Sequence, residues 1–141
     1  MKILKIDHLG IAVPSLAEAT KAWEALGFTL ASTQEVPTER VRAAFLPVGD
    51  SRLELLEPTD PGSVIARFLE KRAGLHHVCV LVDDLEASLA ELKARKVRLI
   101  DEAPRAGAEG SRVAFVHPQA AGGVLLELKQ APAGRPGPER T

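Results

Sequence analysis

Only one cysteine, Cys79, occurs in the sequence, so no disulfide can close within the chain, which fits a reducing cytoplasm. Asparagine is absent and methionine occurs once, beside 10 prolines, a bias that fits a thermophilic host or a genome-wide skew equally. Neither charge is in excess, with 18 Lys+Arg against 19 Asp+Glu and a net charge of -1. That balance argues against nucleic acid or an anionic membrane surface as a partner. No apolar run is long enough to span a bilayer. Met1-Lys2 runs straight into a short strand pattern with no signal-peptide core, so a soluble, cytoplasmic chain is expected. What is present is ordinary for a globular protein: 45% hydrophobic and 26% charged residues over 141 positions. That length suits one domain, or two small modules sharing a core.

An internal repeat decides between these. The segment Asp7–Leu16 aligns with His76–Leu85, matching His8 to His77, Ile11 to Val80, Val13 to Val82 and Leu16 to Leu85. At nearly the same offset Ala44-Phe45-Leu46 matches Ala114-Phe115-Val116, and Leu53-Glu54-Leu55 matches Leu126-Glu127-Leu128. The offset lengthens slightly at the turn around Ala120–Gly123, where a hairpin loop grows freely. Each half opens with a strand of alternating apolar residues, Leu9, Ile11 and Val13, then Val78, Val80 and Val82. A helix follows. Ser15 with Glu18 forms a capping box ahead of the stripe Leu16, Ala19, Trp23 and Leu26, and Gly27 stops it. Asp84 caps the second helix, whose stripe is Leu85, Leu89 and Leu92 and whose last turn is basic. Three strands then close each half, near 29–34, 41–48 and 52–57, and near 97–101, 112–117 and 123–129. The reading is an α+β fold of two tandem βαβββ modules, 1–58 and 74–130, forming a curved mixed sheet around a metal-binding cleft. A linker at 59–73 carries a short helix on Val64, Ile65, Phe68 and Leu69, and a Pro/Gly-rich tail at 131–141 is expected to be disordered.

Strand side chains alternate faces, so residues two apart share one. With Leu9, Ile11 and Val13 under the helix, His8 faces the other way. By the same logic His77, Glu54 and Glu127 turn away from their helices. Any one of the four alone reads as a solvent-facing residue on a half-buried sheet. Their recurrence at equivalent places in both halves turns them into a set, and if the sheet curves they converge. Two imidazoles and two carboxylates suit a divalent metal, admitting Co, Mn, Mg, Zn or Ni alike. Four protein ligands leave two octahedral positions for a substrate's two oxygens, the arrangement of Lewis-acid catalysis.

Other residues carry weaker readings. His76 should point to the face opposite His77 and be packed or capped. Cys79 behaves as a small apolar residue. His117 reaches a substrate carboxylate or solvates a loop. Lys71 and Arg72 meet phosphate groups or finish a helix in solvent.

The string DHLGIAVPSL at Asp7–Leu16 and LELLEP at Leu53–Pro58 resemble the vicinal oxygen chelate superfamily. So do VIARFLEKRAGLHHVCVLVDD at Val64–Asp84, AFVHP at Ala114–Pro118 and GGVLLELKQ at Gly122–Gln130. Within that superfamily the chain is similar to the methylmalonyl-CoA epimerase family over roughly Lys5–Gln130. The resemblance implies metal ligation by His8, Glu54, His77 and Glu127, a CoA thioester substrate, a homodimer, and interconversion of (2R)- and (2S)-methylmalonyl-CoA. Glu127 and Glu54 are then the expected catalytic acid/base pair, one for each face of C2. One departure stands out: some family members carry a catalytic Glu where this chain has Ala43, which transfers no proton; Glu39, on the adjacent loop, is the fallback. The rivals are a glyoxalase I-like lyase acting on a glutathione hemithioacetal, and a metal-free small-molecule-binding module of the same fold.

Overall fold

Caps and turns set the frame of the computed structural model, which describes residues 1–107 and 110–132. Strand β1 (Ile3–Ala12) leads to helix α1 (Leu16–Ala25), where the Ser15 hydroxyl accepts the Glu18 N–H at 3.2 Å. Strands β2 (Ser32–Val36), β3 (Val41–Val48) and β4 (Ser51–Pro58) complete the first half. Helix α2 (Val64–Leu69) links it to β5 (Gly74–Val82), and α3 (Leu85–Ala94) follows, capped by the Asp84 carboxylate on the Ala87 N–H at 3.0 Å. Strands β6 (Arg105–Ala106), β7 (Arg112–Val116) and β8 (Leu125–Gln130) finish the second half, with a 3-10 turn at Pro118–Ala121. The tail expected to be disordered falls almost wholly outside the described residues. Among those described, no helix is long and apolar enough to cross a membrane.

The eight strands form one mixed sheet in the order β2-β3-β4-β1-β5-β8-β7-β6. Within each half the first strand runs parallel to the last, β1 with β4 and β5 with β8. The halves meet edge to edge through the antiparallel pair β1–β5, so the order reads the same outward from the centre in both directions. This is the α+β mixed sheet expected from the repeat.

The apolar alternation buries as the pattern predicts. Leu9, Ile11, Val13, Leu16, Leu53, Leu55, Trp23 and Phe28 pack between β-strands and α1. Val78, Val80, Val82, Leu85, Leu89, Leu126 and Leu128 pack under α3. A third cluster lies on the opposite face of the first half, where Ile65, Phe68 and Leu69 of α2 cover Ala12, Val41, Ala43 and Leu56. Ala43 is thus buried beneath α2 among apolar side chains.

One expected strand is largely missing. Residues 97–101 make only an isolated bridge, Leu99 with Val116, and the short β6 lies further on. Here the Ile100 and Asp101 N–H groups both donate to the Phe115 carbonyl, and the Asp101 carboxylate takes the Phe115 N–H at 2.8 Å. A side chain has replaced a backbone acceptor, so the ladder stops.

Candidate metal centre

Register places the four recurring residues in two rows that cross the sheet. One row runs Phe45, Glu54, Gly10, His77, Leu125; the other runs Phe115, Glu127, Cys79, His8, Arg52. The rows are equivalent by the internal repeat and lie side by side where β1 meets β5. His8 and His77, which are 69 positions apart, therefore meet across the central strand pair, Nε2 to Nε2 at 3.1 Å. Glu127 Oε1 lies 3.5 Å from each of these nitrogens. His8, Glu54 and His77 are buried and Glu127 is half-buried.

Ligand atoms held about 2.1 Å from one ion at octahedral or tetrahedral angles lie about 3.0–3.4 Å apart. The spacing of the His8, His77 and Glu127 donors, 3.1–3.5 Å, fits a divalent ion among them. These three offer one ligand atom each within 4.8 Å of one another. Glu54 reaches the group from a different side. Its Oε2 lies 3.3 Å from the other nitrogen of His8, Nδ1, and accepts from Arg52 Nε at 2.8 Å.

Two β-bulges tune the histidines. β1 pairs Ile6 with Val80 and His8 with Cys79, leaving Asp7 unpaired. β5 pairs His77 with Gly10 and Leu75 with Ile11, leaving His76 unpaired. Each extra residue breaks the strict alternation of faces. Asp7 Oδ2 accordingly accepts from His8 Nδ1 at 2.8 Å. His76 lies beside His77 with Nδ1 atoms 3.0 Å apart, and its ring stacks edge-on against Phe68 of α2. The expectation that His76 turns to the opposite face is corrected by this bulge; its packing is as expected.

The consequences for charge differ. Burial works to lower the His8 pKa, but hydrogen bonds to Asp7, Cys79 and Glu127 and the Glu54 charge outweigh it and raise it to about 11. Burial dominates at His77 and, with the positive charge of His8 and His76 nearby, holds it at about 4 against the pull of Glu127. For Glu127 burial works upward, but the His8 hydrogen bond and the charges of His77, His8 and Lys129 keep it below the usual carboxylate value. Asp7 is held at about 2, chiefly by its bond to His8. These shifts favour the charged form of His8, the neutral form of His77 and the ionised form of Glu127, which is free to ligate or to accept a proton.

Gly10 is a further requirement that its place in a hydrophobic strand does not announce. A Cβ there would collide with the His77 imidazole, which lies flat across that backbone position. Arg52 and Lys129 also belong to the surroundings, as Lys129 Nζ lies 3.5 Å and Arg52 3.9 Å from Asp7 Oδ2. Cys79 is buried, its thiol pKa raised to about 11 by burial, as suits an apolar role. The His117 Nδ1 caps the 3-10 turn, accepting the Gln119 N–H at 3.1 Å. Glu39 lies exposed in the β2–β3 turn.

Comparison with known proteins identifies the family. Residues 7–115 match the model of the Glyoxalase/Bleomycin resistance protein/Dioxygenase superfamily. The mitochondrial methylmalonyl-CoA epimerase of Mus musculus is 37% identical over 133 residues, covering 92% of this chain and 75% of that protein. The crystal structure of methylmalonyl-CoA epimerase from Mycobacterium tuberculosis superposes with a TM-score of 0.83 at 38% identity, covering 92% and 90% of the two chains. A methylmalonyl-CoA epimerase in complex with methylmalonyl-CoA and ammonium superposes with a TM-score of 0.84 at 34% identity, covering 96% and 100%.

Proposed function

The chain belongs to the Glyoxalase/Bleomycin resistance protein/Dioxygenase superfamily and to its methylmalonyl-CoA epimerases, and from that premise we propose that it interconverts (2R)- and (2S)-methylmalonyl-CoA. The observation that carries the proposal is the meeting of His8, His77 and Glu127 at 3.1–3.5 Å, with a second carboxylate, Glu54, on the far side of the His8 ring. The glyoxalase-like lyase and the metal-free module lose ground because this chain is 37–38% identical to methylmalonyl-CoA epimerases over most of its length.

In this reading His8, His77 and Glu127 would hold a divalent ion, and Glu54, the fourth expected ligand, would have to turn from the Nδ1 side of His8 to join them. When bound, the ion supplies a Lewis acid that draws off the negative charge developing on the thioester during enolisation. The remaining work falls to the chain. The C2 proton lies between a thioester and a carboxylate, which makes it acidic enough for a side-chain base. Glu127, held ionised by His8, removes it from one face. Glu54, fixed by Arg52, delivers a proton to the other face. Inversion needs two acid/base groups on opposite sides, and the repeat supplies two. Ala43, buried under α2, takes no part. The proposal extends to two modules at 1–58 and 74–130 that share this one site, as the internal repeat suggests, to a homodimer, as the family resemblance implies, and to a cytoplasmic setting, which the single cysteine fits.

The test is proton NMR of methylmalonyl-CoA in deuterated water. Loss of the C2 proton signal that a chelator stops and Co, Mn, Mg, Zn or Ni restores is the expected result. No exchange with any of these metals, together with turnover of a glutathione hemithioacetal, would overturn it.

A further inference from the structure

The two halves place a glutamate at equivalent positions, and only one of the two meets both histidines. Glu127 Oε1 lies 3.5 Å from Nε2 of His8 and of His77, and these three residues offer ligand atoms within 4.8 Å of one another. Glu54 Oε2 lies instead 3.3 Å from His8 Nδ1. Strand register does not account for the difference. Glu54 pairs with Phe45 and Glu127 with Phe115, which match across the repeat, and each glutamate stands beside the strand, β1 or β5, that carries a histidine.

What differs is the residue two positions earlier, on the same face of the strand: Arg52 in β4 and Leu125 in β8. Arg52 Nε donates to Glu54 Oε2 at 2.8 Å, and its Nη2 lies 2.8 Å from the same oxygen. The guanidinium is braced over the Phe45 ring at 5.3 Å and lies 3.9 Å from Asp7 Oδ2. Leucine has no donor to offer Glu127. The second half also carries an arginine over its phenylalanine, Arg105 on Phe115 at 4.7 Å, but that side chain donates to Asp101 at 3.1 Å. Lys129, two places beyond Glu127, pairs with Asp7 at 3.5 Å.

We propose that Arg52 is a positioning residue that competes with the metal ion for the Glu54 carboxylate, and so keeps the two carboxylates on different sides of His8. A guanidinium fork and a divalent cation draw on the same oxygen lone pairs, so turning Glu54 toward an ion costs its bonds to Arg52. The side chains of Arg52 and Glu54 are 32% and 12% exposed, so water and salt screen the pair only in part. Inversion at C2 needs a group on each face, and two carboxylates gathered on one side of His8 would serve the same face. For that last step the inference rests on the epimerase reading; the competition for Glu54 stands on the geometry alone.

The experiment is calorimetric titration of Mn into the metal-free protein, read beside an inversion assay. Arg52→Leu installs the residue that the other half carries at the matching place, so the strand has a precedent for it. Expected is Mn binding tighter by about 10-fold, as the released Glu54 joins the ion. Loss of a positive charge near a cation site also tightens binding, so the same change is made in a Glu54→Ala background, where no carboxylate is left to release. There the gain should vanish; a gain of equal size in both backgrounds, or in neither, would overturn the proposal. Arg52→Lys keeps the charge and gives up the fork, and should show a smaller gain that likewise needs Glu54. Arg52→Leu should also invert methylmalonyl-CoA on the order of 10-fold more slowly while one epimer still exchanges its C2 proton, and unchanged inversion counts against the proposal. If the wild-type chain exchanges the C2 proton of neither epimer, it is the epimerase reading that fails, and the Mn titrations still decide the role of Arg52.

Discussion

His8 and His77 hold equivalent places in the two halves, yet their surroundings give them different chemistry. Both preceding residues sit on a β-bulge that turns them toward the histidine ring. In the first half that residue is Asp7, an anion 2.8 Å from His8; in the second it is His76, an imidazole 3.0 Å from His77. One histidine is pushed to about 11 and the other held at about 4. Duplication therefore accounts for placement; Asp7 is the chief cause that raises His8 against its burial, whereas burial itself lowers His77 and His76 adds the least. The same contrast runs across the rows: Gly10 opposite His77 corresponds to Cys79 opposite His8, and Leu125 corresponds to Arg52.

The largest effects should come from treating the paired carboxylates as equals and finding that they are not. Glu127→Gln is expected to lower kcat/KM by about 10²–10⁴-fold and to weaken metal binding, because Glu127 is the anion that touches both histidines. Glu54→Gln is expected to abolish inversion to a similar degree with metal affinity nearly retained. One epimer should still exchange its C2 proton for deuterium, since Glu127 still serves its face. Chiral analysis of the product beside NMR exchange separates the two; ordinary inversion by Glu54→Gln would remove Glu54 from the mechanism.

Next in size is the row contrast between Gly10 and Cys79. Gly10→Ala drives a methyl into the His77 ring, and a displacement of about 1 Å at a catalytic centre costs on the order of 10²-fold in rate. Cys79→Ala, at the equivalent place beneath His8, only deletes a buried sulfur and should cost about 1 kcal/mol of stability, with metal affinity kept. Calorimetric metal titration and thermal melting of the pair decide; equal metal affinities would show that the His77 ring has room to move.

A smaller effect tests the bulges themselves. Asp7→Asn keeps an acceptor for His8 Nδ1 but removes the charge, and loss of such a supporting partner weakens metal binding by about 10–100-fold. Replacing His76 by Gln should move metal affinity far less, since its contact with His77 is between two rings that do not need each other's charge. If both changes weaken binding alike, the bulge geometry matters and the charge does not.

Much of this was open to reading from the amino acids. Alternation and the repeat placed His8, His77, Glu54 and Glu127 on one face, because a helix-facing Leu or Val every second residue leaves the intervening side chain one direction to go. Asp7 and His76 were not legible, since an unpaired residue in β1 or β5 reverses the alternation and no local composition marks it. Gly10 reads as a weak point in a strand until the His77 ring is seen lying over it. The missing strand near 97–101 escaped for a similar reason: Asp101 looks like a turn residue, and only its bond to the Phe115 N–H explains where the ladder ends.

The smallest effect isolates a backbone term that the two halves solve differently. α1 and α3 end alike, with the same pair of closing bonds: Gly27 N–H to Glu24 and Phe28 N–H to Trp23 in one, Lys96 N–H to Lys93 and Val97 N–H to Leu92 in the other. This closure needs a left-handed residue, and φ is 104° at Gly27 but 62° at Lys96. A side chain in that region costs about 1–2 kcal/mol relative to glycine, partly offset by the extra freedom glycine brings to the unfolded chain. Lys96→Gly should therefore stabilise by about 0.5–1 kcal/mol, a rise of a few degrees in Tm. Gly27→Ala should destabilise by a similar amount. Since a Cβ at Gly27 meets nothing within 4 Å, that loss cannot be steric crowding and must come from the backbone. Opposite shifts in thermal melting are the expected result. A Lys96→Gly variant no more stable than the parent would mean that the lysine side chain contributes at the helix end as much as its backbone strain costs.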